Sequence, residues 1–540
     1  MVVRLWYYII SILVFVFIIG ISFVWEPIWW FMLIIGPLFL LGIYDILQPN
    51  LNVLRNYPVW GHWRFLLLKI RPQIQQYFIN TDQSGRPFNK EMRDLVYDRA
   101  QKTEDNIPFG TELDVHEVGY EWVNHSMTPT APDIHSVRVV VGGPQCILPY
   151  SSSRFNISAL SFGAISPEAI RALNRGAKLG NFAHDTGEGG ISKYHLMEGG
   201  DIIWELGSAY FGARDQEGHF DPKKFAEKAN LDNVKMIEIK LSQGAKPGHG
   251  AILPGAKVTA EIAETRGIPI GKDCLSPARH SAFSTPIELM EFIKTLRELS
   301  GGKPIGFKLC IGIRSQFMAV CKAMLETGIY PDFIVIDGSE GGTGAAPVEF
   351  LDSIGTPLNE GLIFAHNCLV GVDLRKHVRL IGSGKIISGF DIATKIALGA
   401  DICNSARGMM FALGCIQSLR CHTNQCPTGV TTQDPHRRYA LNIDVKAPYV
   451  RNFHDATLKS FLQVLGAVGL MRPEDLHPTH IHRRVSKDKA LTYDEIFDFL
   501  SPGQLLEGTA GEEYMNYWHQ ARANSFDSIL GNTHRARSET

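Results

Sequence analysis

Between residues 155 and 404 the chain alternates short apolar runs with stretches of helical periodicity, and this rhythm restricts the fold more than any other feature. The runs at 155–161, 235–241, 305–310, 333–337, 378–381 and 401–404 are too short for helices and are bounded by turn residues. Amphipathic stretches fall between them at 166–179, 286–299, 315–327, 358–376 and 388–398. Strands joined by crossover helices make a parallel sheet. So many units predict an α/β fold, a closed (β/α)8 TIM barrel rather than an open sheet.

In such a barrel the working face lies at the carboxyl ends of the strands. Glycine-rich segments at 161–163, 187–190, 341–344 and 382–384 are therefore expected around one mouth. Gly382-Ser383-Gly384-Lys385 after the seventh strand and Ser405-Ala406-Arg407-Gly408 after the eighth supply two turns suited to a phosphate. No G-x-G-x-x-G follows a first strand, so no Rossmann nicotinamide domain is encoded and reducing equivalents are expected from outside the chain. The stretch 244–280 is too long for an ordinary connection and carries Lys246, His249, Lys257 and Arg266, which favours an active-site loop. Gln243, Lys246 and Arg266 offer an amide and two cations, a clamp for a dicarboxylate; solvated loop charges are the plain alternative. Lys308 sits in the apolar run Gly306-Phe307-Lys308-Leu309 and needs an anion or an electron-rich ring; a flavin edge that turns negative on reduction would serve. Lys240 beside Glu238 poses the same question, with internal ion pairs as the other answer.

Cys415, Cys421 and Cys426 follow as C-x5-C-x4-C, the last preceding Pro427. Three thiolates in this spacing suit an iron–sulfur cluster. Zinc would need His422 or His436 as a fourth ligand, and three unrelated buried thiols are the remaining reading. Nine cysteines, mostly inside apolar runs, argue for a reducing compartment rather than a disulfide framework. With 53 basic and 55 acidic residues there is no positive excess for nucleic acid.

The first fifty residues differ from the rest. Residues 5–25 carry no charge, and 27–44 are charge-free again after the single Glu26. Each run can span a bilayer. Trp25, Trp29 and Trp30 flank the Glu26-Pro27 turn as an interfacial belt would, and Arg4, Arg55, Arg64, Lys69 and Arg71 lie outside the runs. The expectation is a transmembrane hairpin in the cytoplasmic (inner) membrane, with both ends and the catalytic domain in the cytoplasm. No small-residue cleavage site precedes Glu26, which argues against a cleaved leader. Residues 60–78 suit a helix on the membrane surface or an ordinary core helix. The expected organisation is hairpin 1–50, neck 51–150, barrel with cysteine segment 151–435, and a mostly helical appendage 436–540.

The run Glu238-Ile239-Lys240-Leu241-Ser242-Gln243-Gly244-Ala245-Lys246-Pro247-Gly248, followed by Leu253-Pro254-Gly255-Ala256-Lys257-Val258, resembles the synthase domain of glutamate synthases. So do Thr186-Gly187-Glu188-Gly189-Gly190, Gly341-Gly342-Thr343-Gly344-Ala345, and the segment from Leu413-Gly414-Cys415 through Cys426-Pro427-Thr428 to Pro435. The likeness covers about residues 154–434, with the motifs in the family's order. The hairpin and neck resemble shorter stand-alone relatives described as FMN-binding glutamate synthase family proteins. The resemblance implies FMN against Ser161, Lys308, Gly341, Gly342 and Thr343, with its phosphate on Gly382, Gly384, Arg407 and Gly408. It implies a 3Fe–4S cluster on Cys415, Cys421 and Cys426, 2-oxoglutarate on Gln243, Lys246 and Arg266, and Glu188 as an acidic residue beside the substrate, with Glu188 and Lys246 in the catalytic roles. The implied reaction is amination of 2-oxoglutarate to 2-iminoglutarate, then hydride transfer to give L-glutamate, with electrons arriving through the cluster.

The large enzymes of that family begin with a glutaminase domain, whereas this sequence begins with the hairpin. Ammonia or another amine is thus expected to arrive free or from a separate amidotransferase subunit, and electrons from ferredoxin or a reductase subunit. Ser339 and Glu340 stand where the large enzymes carry His and Asp, and His249 replaces an acidic residue. Two other readings remain at this point: a flavin barrel oxidising an amino or 2-hydroxy acid for a membrane electron carrier, and a non-catalytic electron-transfer subunit.

Overall fold

A computed structural model describes residues 2–103 and 106–527, in two compact units that part between Lys90 and Glu91. The first unit holds two apolar helices, α1 (Val2–Ser22) and α2 (Met32–Leu47), joined by a 3-10 turn at Glu26–Phe31, and then α3 (Gly61–Ile74). The spans Arg4–Ser22 and Glu26–Leu47 are long and apolar enough to cross a bilayer, and residues such as Leu13, Phe17, Leu33 and Leu40 are exposed. Arg4 closes the hairpin: its Nε donates to the Arg55 carbonyl at 2.6 Å and its Nη2 to Asn56 Oδ1 at 2.9 Å. Both ends of the hairpin therefore lie together.

The second unit is built on a closed barrel of eight parallel strands. In chain order these are β1 (Phe155–Ile157), β2 (His184–Asp185), β3 (Ile202–Leu206), β4 (Val234–Lys240), β5 (Ile305–Leu309), β6 (Phe333–Asp337), β7 (Arg379–Ser383) and β8 (Ile402–Ser405). Outer helices follow as α4 (Pro167–Gly180), α5 (Lys193–Met197), α6 (Pro222–Ala229), α7 (Pro286–Leu299), α8 (Arg314–Thr327), α9 (Leu358–Gly371), α10 (Gly389–Ala397) and α11 (Ile443–Val468). Local chemistry sets the helix starts. Ser166, Thr285 and Ser388 cap α4, α7 and α10 through their hydroxyls, and Pro167 and Pro286 hold the first turns.

Three features depart from the expected organisation. The eighth outer helix, α11, packs on α4 and α10 beyond residue 435, because the cysteine segment is inserted between β8 and its helix. The supposed neck is ordered: helix Lys90–Gln101 precedes a hairpin of Arg138–Val141 and Tyr150–Ser153. Val139, Val141 and Tyr150 of that hairpin join Ala183, Ile203, Met236, Phe333, Val335, Ile381 and Ile402 in one buried cluster, so the hairpin plugs the barrel's lower end. The C-terminal region also pairs strands Ile481–Ser486 and Lys489–Thr492 with Glu121–Val123 and is not purely helical.

Asp332 ties plug, helix and strand together. Its buried carboxylate accepts from Gly143 N at 2.7 Å, Ile305 N at 2.8 Å and Arg297 Nη2 at 3.0 Å. Asp332→Ala would leave a buried guanidinium and two amides without their acceptor. The expected loss is about 3–5 kcal/mol, read as a lower unfolding midpoint of the detergent-solubilised protein.

Candidate active site

Side chains point alternately in and out along a strand, and stacked inward layers fill a small barrel. Above the apolar layer of Ala183, Ile203 and Met236, the next inward positions on the same strands are Asp185, Glu205 and Glu238, joined by Lys308 of β5. Lys308 Nζ lies 2.8 Å from Glu205 Oε2 and 3.9 Å from Glu238 Oε1. Burial alone would lower its pKa, but Glu205, Asp337, Glu238 and Asp185 overcome this and hold it well above the ordinary lysine value. One layer higher, Lys240 Nζ lies 2.9 Å from Glu188 Oε1 and donates to Gln243 Oε1 at 2.8 Å.

Above this floor opens a cavity of about 120 Å³. Ser161, Glu188, Gln243, Lys246, Arg266, Gly342, Thr343, Arg407 and Cys421 all line it, although β1, β2, β4, β6 and β8 supply them through separate loops. Lys308 lies beneath the floor, committed to Glu205. Gly341 and Gly384 stand in flanking loops, Gly382 lies in β7 and Gly408 in the short helix Arg407–Ala412, and Cys415 and Cys426 belong to the same segment as Cys421.

The loops are pressed together by missing side chains. A Cβ on Gly187, at φ 61°, would meet Ser161 N at 2.7 Å, and one on Gly244 would sit 1.8 Å from the Gly338 carbonyl. Gly244 N donates to Asp337 Oδ2 at 2.8 Å, which fixes the turn that presents Gln243 and Lys246. Gly342 faces Arg407, whose Nη2 donates to the Thr343 carbonyl at 3.0 Å. The sixth and eighth loops thus share one guanidinium.

The electrostatics of the wall are one-sided. Lys246 and Lys257 are each 2% exposed and Arg266 is 4% exposed. Lys246 Nζ donates to the Ala345 carbonyl at 3.1 Å, and Arg266 Nη2 donates to the Phe162 carbonyl at 2.8 Å with its guanidinium 5.1 Å over the Phe211 ring. Arg266 Nε has no hydrogen-bond partner. Lys257 Nζ donates to the carbonyls of Ala164 at 2.9 Å and Cys421 at 3.0 Å. Burial pulls Lys257 down to about 8 against the opposing charges of Cys421 and Cys426, and burial lowers Lys246 despite Glu188. Among the described residues none of Lys246, Lys257, Arg266 and Arg407 forms a salt bridge with a carboxylate. Buried cations without counter-ions are expensive, and a site of this kind is completed by an anionic ligand.

The cysteine segment folds over this wall. Gln417, Leu419 and Asn424 take left-handed backbone (φ 55°, 56° and 60°), which winds it tightly. Gln433 Nε2 donates to the carbonyls of Gly163 and Ile165, and Tyr97 of helix Lys90–Gln101 donates to the Cys415 carbonyl. Burial pushes the Cys415 thiol up to about 11, with Cys421 and Cys426 adding to the rise. Burial opposes the Cys426 thiolate, but hydrogen bonds from Thr428 and Thr431 prevail and lower its pKa.

Sequence reasoning missed Glu205 and Asp185, and treated Lys257 only as a loop charge. The acid inside the apolar run Ile202-Ile203-Trp204-Glu205-Leu206 was the available signal for Glu205. Asp185 lies on a strand of two residues, too short to show any period.

Fold and mouth together define a TIM barrel whose mouth carries buried cations beside a cysteine-bearing segment. The model of the conserved region in glutamate synthase matches residues 144–471, which includes α11. A glutamate synthase large subunit-like protein of Bacillus subtilis, YerD, is 35% identical over 496 residues, covering 84% of this chain and 94% of that protein. An archaeal glutamate synthase [NADPH] of Methanocaldococcus jannaschii is 35% identical over 321 residues, covering 59% of this chain and 60% of that one. The chain belongs to the glutamate synthase family, and that kinship makes it an oxidoreductase.

Proposed function

We propose that this chain is a membrane-anchored, FMN- and iron–sulfur-dependent oxidoreductase that reductively aminates 2-oxoglutarate to L-glutamate, taking ammonia or an amine from outside the chain. The observation that carries the reading is the set of four cations at one mouth without carboxylate partners. A phosphate and a dicarboxylate are the anions that such a wall would neutralise.

The residues fit FMN. Arg407 lines the cavity and is free of carboxylates, so its guanidinium is available to a phosphate there. Gly382, Gly384, Arg407 and Gly408 would hold that phosphate, while the Ser161 loop and Gly341, Gly342 and Thr343 would face the ring. Lys240 lines the cavity and Lys308 does not, so Lys240 is the better placed lysine to touch the ring. Bound FMN would supply two-electron hydride chemistry and one-electron exchange.

Lys246 and Arg266 would grip the two carboxylates of 2-oxoglutarate, with Gln243 orienting the keto acid. Glu188, neutralised by Lys240, can take a proton from an ammonium ion and so free the attacking amine. Buried walls around these groups exclude water and strengthen each contact. The cysteine trio fits a multi-iron cluster better than one zinc ion. Among the described residues no Cys and His group brings its ligand atoms all within 4.8 Å, as one ion would require, whereas in a cluster each thiolate binds its own iron. Cys415, Cys421 and Cys426 would hold the 3Fe–4S cluster beside the cavity that Cys421 lines. A ferredoxin or reductase subunit would supply electrons, and α1 and α2 would anchor the catalytic domain at the cytoplasmic face of the inner membrane.

The test uses full-length protein purified anaerobically from membranes. The spectrum and iron, sulfide and flavin analysis should report one FMN and one cluster. The reduced flavin should be reoxidised by 2-oxoglutarate with ammonium, glutamine or methylamine. Flavin reduction by an amino acid or 2-hydroxy acid instead would favour a dehydrogenase, and absence of flavin would overturn the reading.

A further inference from the structure

At the cavity floor lies a charge cluster, of which Glu205 lines the cavity, to which the proposed chemistry has given no role. Asp185, Glu205 and Glu238 are 1%, 1% and 0% exposed, and one carboxylate oxygen of each lies within 4.8 Å of the others. Three ionised carboxylates at that separation in a barrel interior repel one another strongly. One ammonium, Lys308, lies beside them, 2.8 Å from Glu205 and 3.9 Å from Glu238. Glu205 Oε1 and both oxygens of Glu238 have no hydrogen-bond donor among the described residues. A proton shared between Glu238 and Glu205 would give one oxygen of each a partner and relieve the repulsion.

The cluster is also connected to the mouth. Glu205 Oε1 lies 3.8 Å from Lys240 Nζ, and Lys240 Nζ lies 2.9 Å from Glu188 Oε1, whose carboxylate borders the cavity. We propose that Glu238, Glu205 and Asp185 form an internal proton store that feeds the cavity through Lys240 and Glu188. The inference rests on the reductive reading above. That reaction joins 2-oxoglutarate, ammonium, two electrons and two protons to give glutamate and water. The C=O bond is replaced by C–N and C–H bonds, and the carbonyl oxygen leaves as water. Electrons delivered through a thiolate-held cluster bring no protons with them, so protons must reach a water-excluding site through the protein. In the proposed route Lys240 gives a proton to Glu188 and is reprotonated from Glu205, which Glu238 replenishes.

The charges are arranged for this. Burial and then Asp185 push Glu238 well above the ordinary carboxyl range, and burial and then Glu205 push Asp185 up to about 8. Burial opposes the Glu205 carboxylate as well, but Lys308 and Lys240 prevail and hold it low. Protonated and ionised members thus alternate along the path. The other titratable groups facing the cluster are Asp337, Glu188, Lys240, Lys246, Lys308 and His280, whose Nε2 lies 2.9 Å from the Lys240 carbonyl.

Glu238→Gln keeps the shape and removes the exchangeable carboxyl proton. In the membrane-extracted holoenzyme, infrared spectra at neutral pH should show a protonated-carboxyl band that this variant lacks. Reoxidation of reduced flavin by 2-oxoglutarate and ammonium should slow by about 100-fold, with a changed pH profile and FMN still bound. Asp185→Asn serves as the second variant should Glu238→Gln not fold, with the same band weakened or shifted. Protonated-carboxyl absorption left unchanged in both variants overturns the store, as does an unchanged rate and pH profile in Glu238→Gln. A wild type that shows the band yet ignores 2-oxoglutarate overturns the proposed reaction instead.

Discussion

Lys246→Ala is expected to retain FMN and to lose 2-oxoglutarate-dependent flavin reoxidation by about 100- to 1000-fold in kcat/KM, the cost of removing one partner of a buried charge pair. The size of the effect follows from burial. Lys246 is fixed by the turn at Gly244, donates only to the Ala345 carbonyl, and has no carboxylate of its own to neutralise it. Its charge is therefore available to a ligand in a wall that excludes water, where a lost charge–charge contact cannot be replaced by solvent. Glutamine at the same position keeps polarity without charge and should fall nearly as far. Stopped-flow reoxidation of the reduced flavin measures the rate, and the flavin spectrum measures retention. A variant that reoxidises at the wild-type rate would remove the dicarboxylate clamp from the mechanism.

Cys426→Ala is expected to bring iron and sulfide to the level of metal-free protein while leaving the flavin in place. Cys426 is buried, and its thiolate is favoured by Thr428 and Thr431, so its environment favours the form that ligates. Flavin reduced by light or dithionite should still be reoxidised by 2-oxoglutarate and ammonium, because Lys246 and Arg266 stand on other loops. Turnover driven by an external one-electron donor should stop. Loss of both half-reactions together would mean that the segment serves the mouth as structure alone.

The barrel was legible where strand and helix each had length enough to show a period, as in β5, α8 and β6, although β3, of the same length as β5, was missed. It was not legible at β2, whose two residues carry no pattern, nor at α11, which the inserted cysteine segment separates from its strand. Gln243, Lys246 and Arg266 could be picked out because they share one loop with unusual charge. The partner of Lys308 could not, since Glu205 lies 103 residues away and only closure of the barrel brings them together. Sequence supplied the demand for an anion; topology decided which one met it. The same holds for the stretch before residue 150, whose role as a barrel plug depends on contacts with strands that come later.

Lys257 has a consequence that reaches past the wall it lines. Its ammonium clasps one carbonyl from the loop after β1 and one from the cysteine segment, and so joins Gln433 in fastening the two sides of the mouth. Slackening of either side loosens the other directly, and the substrate end and the thiolate end of the molecule tighten or relax as one piece.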